Sequence, residues 1–181
     1  FLPVAMDQIV NQAAKLRYMS GGKLRLPLVI RTAYGNRRSA AAQHSQSPYA
    51  WFMHTPGLRI VIPATPADAK GLVTAAIRDD NPVMCFEHKL LYAEKGPVPE
   101  GECMVPIGKA EVRRHGDDVT VIATGLMVLR SLAAAEKLSE EGIDAGVVDV
   151  RSLCPLDLET MLAEVRRTRR ATPAAANELS L

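Results

Sequence analysis

The 181-residue sequence predicts an α/β protein built from parallel sheets with flanking helices. Three observations predict it. Short apolar runs recur at Leu28-Val29-Ile30, Ile60-Val61-Ile62, Val83-Met84-Cys85-Phe86, Val119-Thr120-Val121-Ile122-Ala123 and Val147-Val148-Asp149-Val150. Continuous apolar runs of this length suit strands buried on both faces of a sheet. Segments of helical spacing alternate with these runs, the pattern of strand-helix-strand crossovers. Residues 91–106 are rich in Gly, Pro and Glu and carry no period, so they read as a connector between a unit at 1–90 and a second at 107–170.

Each element has a local reason. From Asp7 to Tyr18 the apolar positions Ile9, Val10, Ala13, Ala14 and Leu16 fall at helical spacing, and Gly21-Gly22 supplies the left-handed residues that close a helix. The strand at Leu28-Val29-Ile30 runs into a loop of small and basic residues. The strand at Ile60-Val61-Ile62 follows a Pro56-Gly57 turn. Thr65 is a cap, Pro66 suits the first helical position, Asp68 makes a shortened capping box, and Ala69, Leu72, Val73 and Ala76 form an apolar stripe. Asp79-Asp80-Asn81-Pro82 ends that helix and turns the chain into the strand at Val83.

In the second unit a helix is expected from Val128 to Leu138, stopped by Gly142-Ile143. Another opens at Asp157 with Leu158, Met161, Leu162 and Val165 on one face. About three strands are expected in the first unit and about two in the second, against the ~5 of a typical sheet. Both units therefore read as partial, and exposed apolar edges with poor solubility are expected of the chain alone. Residues 171–181 form an atypical tail.

Composition narrows the function. A net charge of +2 and short, scattered basic clusters such as Arg37-Arg38 and Arg113-Arg114 give no nucleic-acid footprint. An aromatic content of 4% offers no platform for stacking single-stranded bases. Cys85, Cys103 and Cys154 are too far apart for a metal-ligand spacing, and their odd number points to a reducing, cytoplasmic setting. No apolar run reaches the ~20 residues of a membrane span.

The most informative segment is Ala40-Ala41-Ala42-Gln43-His44-Ser45-Gln46, a histidine on a loop leaving a buried strand. Histidine changes charge near neutral pH, so an imidazole presented this way moves or stabilises protons. His44 is the candidate catalytic residue. Ser45 beside it makes no hydrolase pair, because adjacent residues seldom face one another and no G-x-S-x-G elbow is present. Gly21-Gly22 is a helix stop rather than a phosphate loop. His54 reads as a turn residue and His115 as solvated. Glu87 and His88 close a strand, where ligands gather in open α/β sheets. Tyr49, Trp51 and Phe52 are expected at a subunit interface.

Taken in order, the His44 motif, His54-Thr55-Pro56-Gly57-Leu58, Pro63-Ala64-Thr65-Pro66-Ala67-Asp68-Ala69-Lys70-Gly71, Ile77-Arg78-Asp79-Asp80-Asn81-Pro82 and Lys95-Gly96-Pro97-Val98-Pro99-Glu100 resemble the β subunit of thiamine-diphosphate-dependent 2-oxo acid dehydrogenases. The resemblance runs from Phe1 to Arg170. Arg31-Thr32-Ala33-Tyr34-Gly35 and Ser47-Pro48-Tyr49-Ala50-Trp51 are most similar to the acetoin and bacterial pyruvate types.

The resemblance implies part of a thiamine-diphosphate-binding pyrimidine domain, followed by part of a transketolase C-terminal-like α/β domain. It further implies an E1 heterotetramer of two α and two β subunits, with the cofactor and its Mg2+ held mainly by α. A 2-oxo acid would be decarboxylated, or acetoin cleaved, and the acyl group passed to a lipoyl-bearing E2 core. His44 matches the active-site histidine of the family. Ala76, Asp79 and Asn81 match its potassium-site motif, with Leu28 and Val29 as further contributors.

Two departures from the family pattern stand out: its cofactor-activating glutamate has no counterpart here, and the tail after Arg170 replaces an apolar strand. A fragment that only docks an α subunit, and a transketolase-like enzyme such as a deoxyxylulose-phosphate synthase, are the alternative readings.

Overall fold

The computed structural model describes residues 1–36 and 39–174. Its first nineteen residues are helical, as the apolar spacing requires, but they are not one helix. A 3-10 turn spans Leu2–Ala5, a π-helical turn spans Gln8–Ala13, and α1 spans Leu16–Met19. Residues five apart lie on different faces of an α-helix, and widening the turn to i→i+5 brings Ile9 and Ala14 onto one. Both are buried in a cluster with Phe52, Leu58, Ile60, Ile62, Met84 and Phe86. Gly57, at φ 103°, packs so tightly on this segment that a Cβ there would lie 1.9 Å from the Ala14 carbonyl oxygen. Gly21 and Gly22 hold positive φ, the stop expected of them.

Among the described residues eight strands form two sheets. In the first, β1 (Val29–Tyr34), β3 (Val83–His88) and β2 (Arg59–Val61) lie parallel in that spatial order. Their registers align Val29 with Val83 and Arg59 with Val83. Helix α2 (Tyr49–Met53) covers one face beside the N-terminal segment. Helix α3 (Pro66–Ile77) covers the other, where Leu72 and Ala76 meet Val61, Val83 and Cys85. The second sheet runs β4 (Glu111–Arg114), β6 (Ala145–Asp149), β5 (Val119–Ala123), β8 (Ala171–Ala174). Helix α4 (Leu126–Glu140) and α5 (Leu158–Thr168) flank it.

Three strands went unread because edge strands need no continuous apolar run. β4 is mostly charged and pairs antiparallel with β6. β7 (Ser152–Cys154) leaves the second unit to pair antiparallel with β2 of the first sheet, so the two units share a strand boundary. Among the described residues β8 pairs with β5 alone, and its Pro173 is tolerated because an edge strand donates on one side only. The first four residues expected to belong to an atypical tail are thus sheet; residues 175–181 lie outside the described residues.

Two helices carry their signals differently from expectation. The Thr65 hydroxyl accepts the Asp68 amide at 3.1 Å, as a cap should, yet it also donates to the Asp68 carboxylate at 2.6 Å. The buried Asp68 carboxylate, held at the helix start by that hydroxyl, also meets Arg113 and Arg151 of the second unit. On α5 the polar side faces the sheet. Thr168 bonds Thr120 at 2.8 Å, while Leu158 and Leu162 remain 56% and 44% exposed.

Candidate functional site

His44 sits where the sheet places it, past the carboxyl end of β1, in a 3-10 turn (Ala42–His44) that precedes α2. Its side chain is exposed, and its ring lies 6.4 Å from that of Phe1. Several contacts hold the loop. Gly35 donates its amide to the Gln46 carbonyl at 3.0 Å, and the Ser45 hydroxyl donates to the Ala41 carbonyl at 2.8 Å. From the carboxyl end of β3, the Lys89 ammonium donates to the His44 carbonyl oxygen. Ser39 and Ala41 adopt positive φ, a conformation that costs a residue with a Cβ of order 1–3 kcal/mol and gathers at functional loops. The Ser47 hydroxyl, three residues on, is buried without a hydrogen-bond partner among the described residues.

His88, at the end of β3, is buried rather than presented. Its Nδ1 accepts the Leu90 amide at 3.2 Å, and its ring stands edge-on to Tyr34 at 5.0 Å. Tyr49 joins that aromatic cluster and Phe52 is fully buried in it, so only Trp51 of the three aromatics expected at an interface is exposed, at 52%. His54 is exposed at the end of α2. His115 is mostly exposed but has a neighbour, with Nδ1 3.6 Å from Glu164.

Beside α3 a cavity of about 500 Å³ is lined by Arg31, Glu87, Tyr92 and apolar residues of the helix. Glu87 binds Arg31 at 2.6 Å and accepts from Tyr92 at 2.8 Å, so the network is internally neutralised. Burial pushes the Cys85 thiol up to about 12, which removes it as a nucleophile.

The residues matching the potassium motif come together. Ala76, Asp79 and Asn81 lie at the end of α3, and Leu28 accepts the Val83 amide just across from them at the start of β1. Their side chains are already engaged. Asp79 pairs with Arg59 at 2.8 Å and accepts from Asn81, while Asn81 accepts from Arg17 at 2.8 Å. Only backbone carbonyls remain to face a cation. Among the described residues no cluster of three His, Cys, Asp or Glu exists to hold a metal, and no helix is long and apolar enough to cross a membrane.

Sequence reasoning missed the charged cluster that joins the two units. Arg113 of β4 binds Asp149 at 2.9 Å and also Asp68, while Arg151 binds Glu111 at 2.8 Å and Asp68 at 3.4 Å. The signal in the sequence was Asp149, an aspartate placed inside the apolar run Val147-Val148-Asp149-Val150.

Residues 1–95 match the model of the transketolase pyrimidine binding domain, and 108–175 that of the transketolase C-terminal domain. The β subunit of acetoin:2,6-dichlorophenolindophenol oxidoreductase from Cupriavidus necator is 52% identical over 94% of this chain and 50% of its own length. The 2-oxoisovalerate dehydrogenase β subunit of Bacillus subtilis is 49% identical over 93% of this chain and 52% of its own. The pyruvate dehydrogenase E1 component β subunit of Rhizobium meliloti is 45% identical over 94% of this chain and 37% of its own. The chain spans about half the length of such relatives or less. Among solved structures, a split-gene transketolase described as an inactive β4 tetramer aligns with TM-score 0.72 at 25% identity, over 94% of this chain and 54% of that one. A Pichia stipitis transketolase shares the fold at TM-score 0.63 and 18% identity, over 90% of this chain and 24% of its own. With a parallel sheet presenting a histidine loop at its carboxyl edge, and more than half of its length matched by one family model, the chain belongs to the transketolase pyrimidine binding domain family, continuing into a transketolase C-terminal segment.

Proposed function

We propose that this chain is part of the β subunit of a 2-oxo acid or acetoin dehydrogenase E1 component, and that its His44 loop completes a thiamine-diphosphate site enclosed jointly with an α subunit. The observation that carries the reading is the exposed His44 ring, held past the carboxyl ends of β1 and β3, where open α/β sheets bind ligands. The residues present fit such a site: an exposed imidazole and, in the same loop, a Ser47 hydroxyl with no hydrogen-bond partner among the described residues. Bound thiamine diphosphate supplies the carbanion chemistry that cleaves the bond next to the carbonyl. With that group bound, His44 would hold a proton for the substrate's oxygens and stabilise charge on them, and it would assist acyl transfer to a lipoyl group on the E2 core. Mg2+ is held by the α subunit, with the protein in a reducing, cytoplasmic compartment. In this reading residues 1–90 and 107–170 are parts of two domains joined by 91–106.

Replacing His44 by alanine in the assembled complex should lower overall turnover by ~100-fold or more, the usual scale of a lost general acid or base, with gel-filtration behaviour unchanged. Wild-type turnover in that complex refutes the role. We propose too that the backbone carbonyls of Leu28, Val29, Ala76, Asp79 and Asn81 bind K+, because a carbonyl oxygen keeps a second lone pair after accepting one amide, as those of Leu28 and Ala76 do, and oxygen donors suit a hard cation. Exchanging K+ for tetramethylammonium should lower the melting temperature of the assembled enzyme. An unchanged melting curve excludes the site.

A further inference from the structure

Resting on the His44 reading above, we infer that Lys89 is a positioning residue: by holding the His44 carbonyl oxygen it fixes where the imidazole stands in the site. Residues 39–48 follow β1, and their other polar contacts named above are at the base of the loop or within its own turn, while the His44 ring lies near that of Phe1. Those contacts close the loop without aiming it. Ser39 and Ala41, both at positive φ, favour relaxation of the loop unless something outside opposes it. The half-buried Lys89 reaches it from β3.

Lys89 is itself aimed. It begins the 3-10 turn Lys89–Ala93, whose first bond is the Leu90 amide donating to His88 Nδ1. His88 is locked by the edge-on Tyr34 ring and by Gly35, where a Cβ would lie 2.3 Å from His88 Nε2. A chain of rigid contacts thus runs from the end of β1 through His88 to Lys89 and back onto the loop that β1 feeds. Taking the backbone carbonyl rather than the ring orients the imidazole while leaving both its nitrogens for chemistry. A charged donor makes this bond stronger than one between neutral groups.

The test compares Lys89→Met, Lys89→Arg and His44→Ala in the α/β complex loaded with thiamine diphosphate. Lys89→Met should reduce kcat about tenfold with KM and gel-filtration volume unchanged, since misplacing a reacting group costs rate rather than binding. Lys89→Arg, which keeps the donor, should recover most of it. A second readout uses the cofactor-free α/β complex, in which the partner covers the His44 ring that this chain alone leaves exposed: the rate of carbethoxylation of His44 by diethyl pyrocarbonate, followed by mass spectrometry, should rise roughly threefold in Lys89→Met as the ring leaves its place. Wild-type kcat, an unchanged reagent rate, or failure of Lys89→Arg to rescue each overturns the role of Lys89. Wild-type turnover in His44→Ala would instead sink the underlying reading of the site.

Discussion

Ala41 holds φ 63° and ψ 163°, a region that glycine enters freely and a Cβ resists, three residues before the candidate catalytic histidine. Ala41→Gly should raise the unfolding free energy by about 1 kcal/mol, the relief of strain outweighing the added freedom of the unfolded chain. Urea midpoints of the two proteins check this; a lower midpoint for the glycine variant contradicts it. The same substitution loosens the loop that presents His44, so the stability gain should come with lower turnover. The exposed loop that carries position 44 was legible in the sequence because it follows an apolar strand run. Position 89 was not, because nothing local to it says that its ammonium group meets a carbonyl forty-five residues away.

Among the helices, α3 shows how a cap can serve two masters. Thr65 satisfies an amide at the helix start and also orients the Asp68 carboxylate, which then faces the arginines of the second unit. Thr65→Ala should cost about 1 kcal/mol from the lost cap. Urea unfolding reads this directly, and a loss below a few tenths of a kcal/mol would show the cap to be idle. The stripe Ala69, Leu72, Val73 and Ala76 predicted this helix, and Leu72 and Ala76 are fully buried. On α5 the equivalent apolar pattern misled. Thr120 of β5 offers a buried hydroxyl at the sheet surface, and α5 meets it with the Glu164 carbonyl and the Thr168 hydroxyl, so its polar side turns inward.

Across the whole molecule, the two sheets are joined by strand β7, by Ala64 packing on Ala123 and Val128, and by the cluster of Asp68, Glu111, Arg113, Asp149 and Arg151. Asp149 is completely buried, and desolvation pushes its carboxyl up to about 6 although Arg113 pulls it down. A carboxyl whose folded value lies above its ordinary one is held more tightly as the acid in the folded chain. Its contribution to stability is therefore fullest at low pH and declines as pH rises from about 4 to about 6. Asp149→Asn removes that decline, so the stability of the variant relative to wild type should climb between pH 4 and pH 6 and then level. Urea unfolding across that range checks it, and a difference independent of pH contradicts it.

The sequence alone determined the parallel strands, the helices between them and the histidine loop, because each rests on local signals: apolar runs, caps and a contiguous motif. Tertiary structure decided the rest. Edge strands β4, β7 and β8 form because a neighbouring strand offers hydrogen bonds, whatever their own polarity. The π-helical turn near Ile9 forms because two residues must reach one core. Asp68 and Asp149 are tolerated inside apolar segments because Arg113 and Arg151 arrive from elsewhere in the chain to neutralise them, and only folding brings those charges within reach.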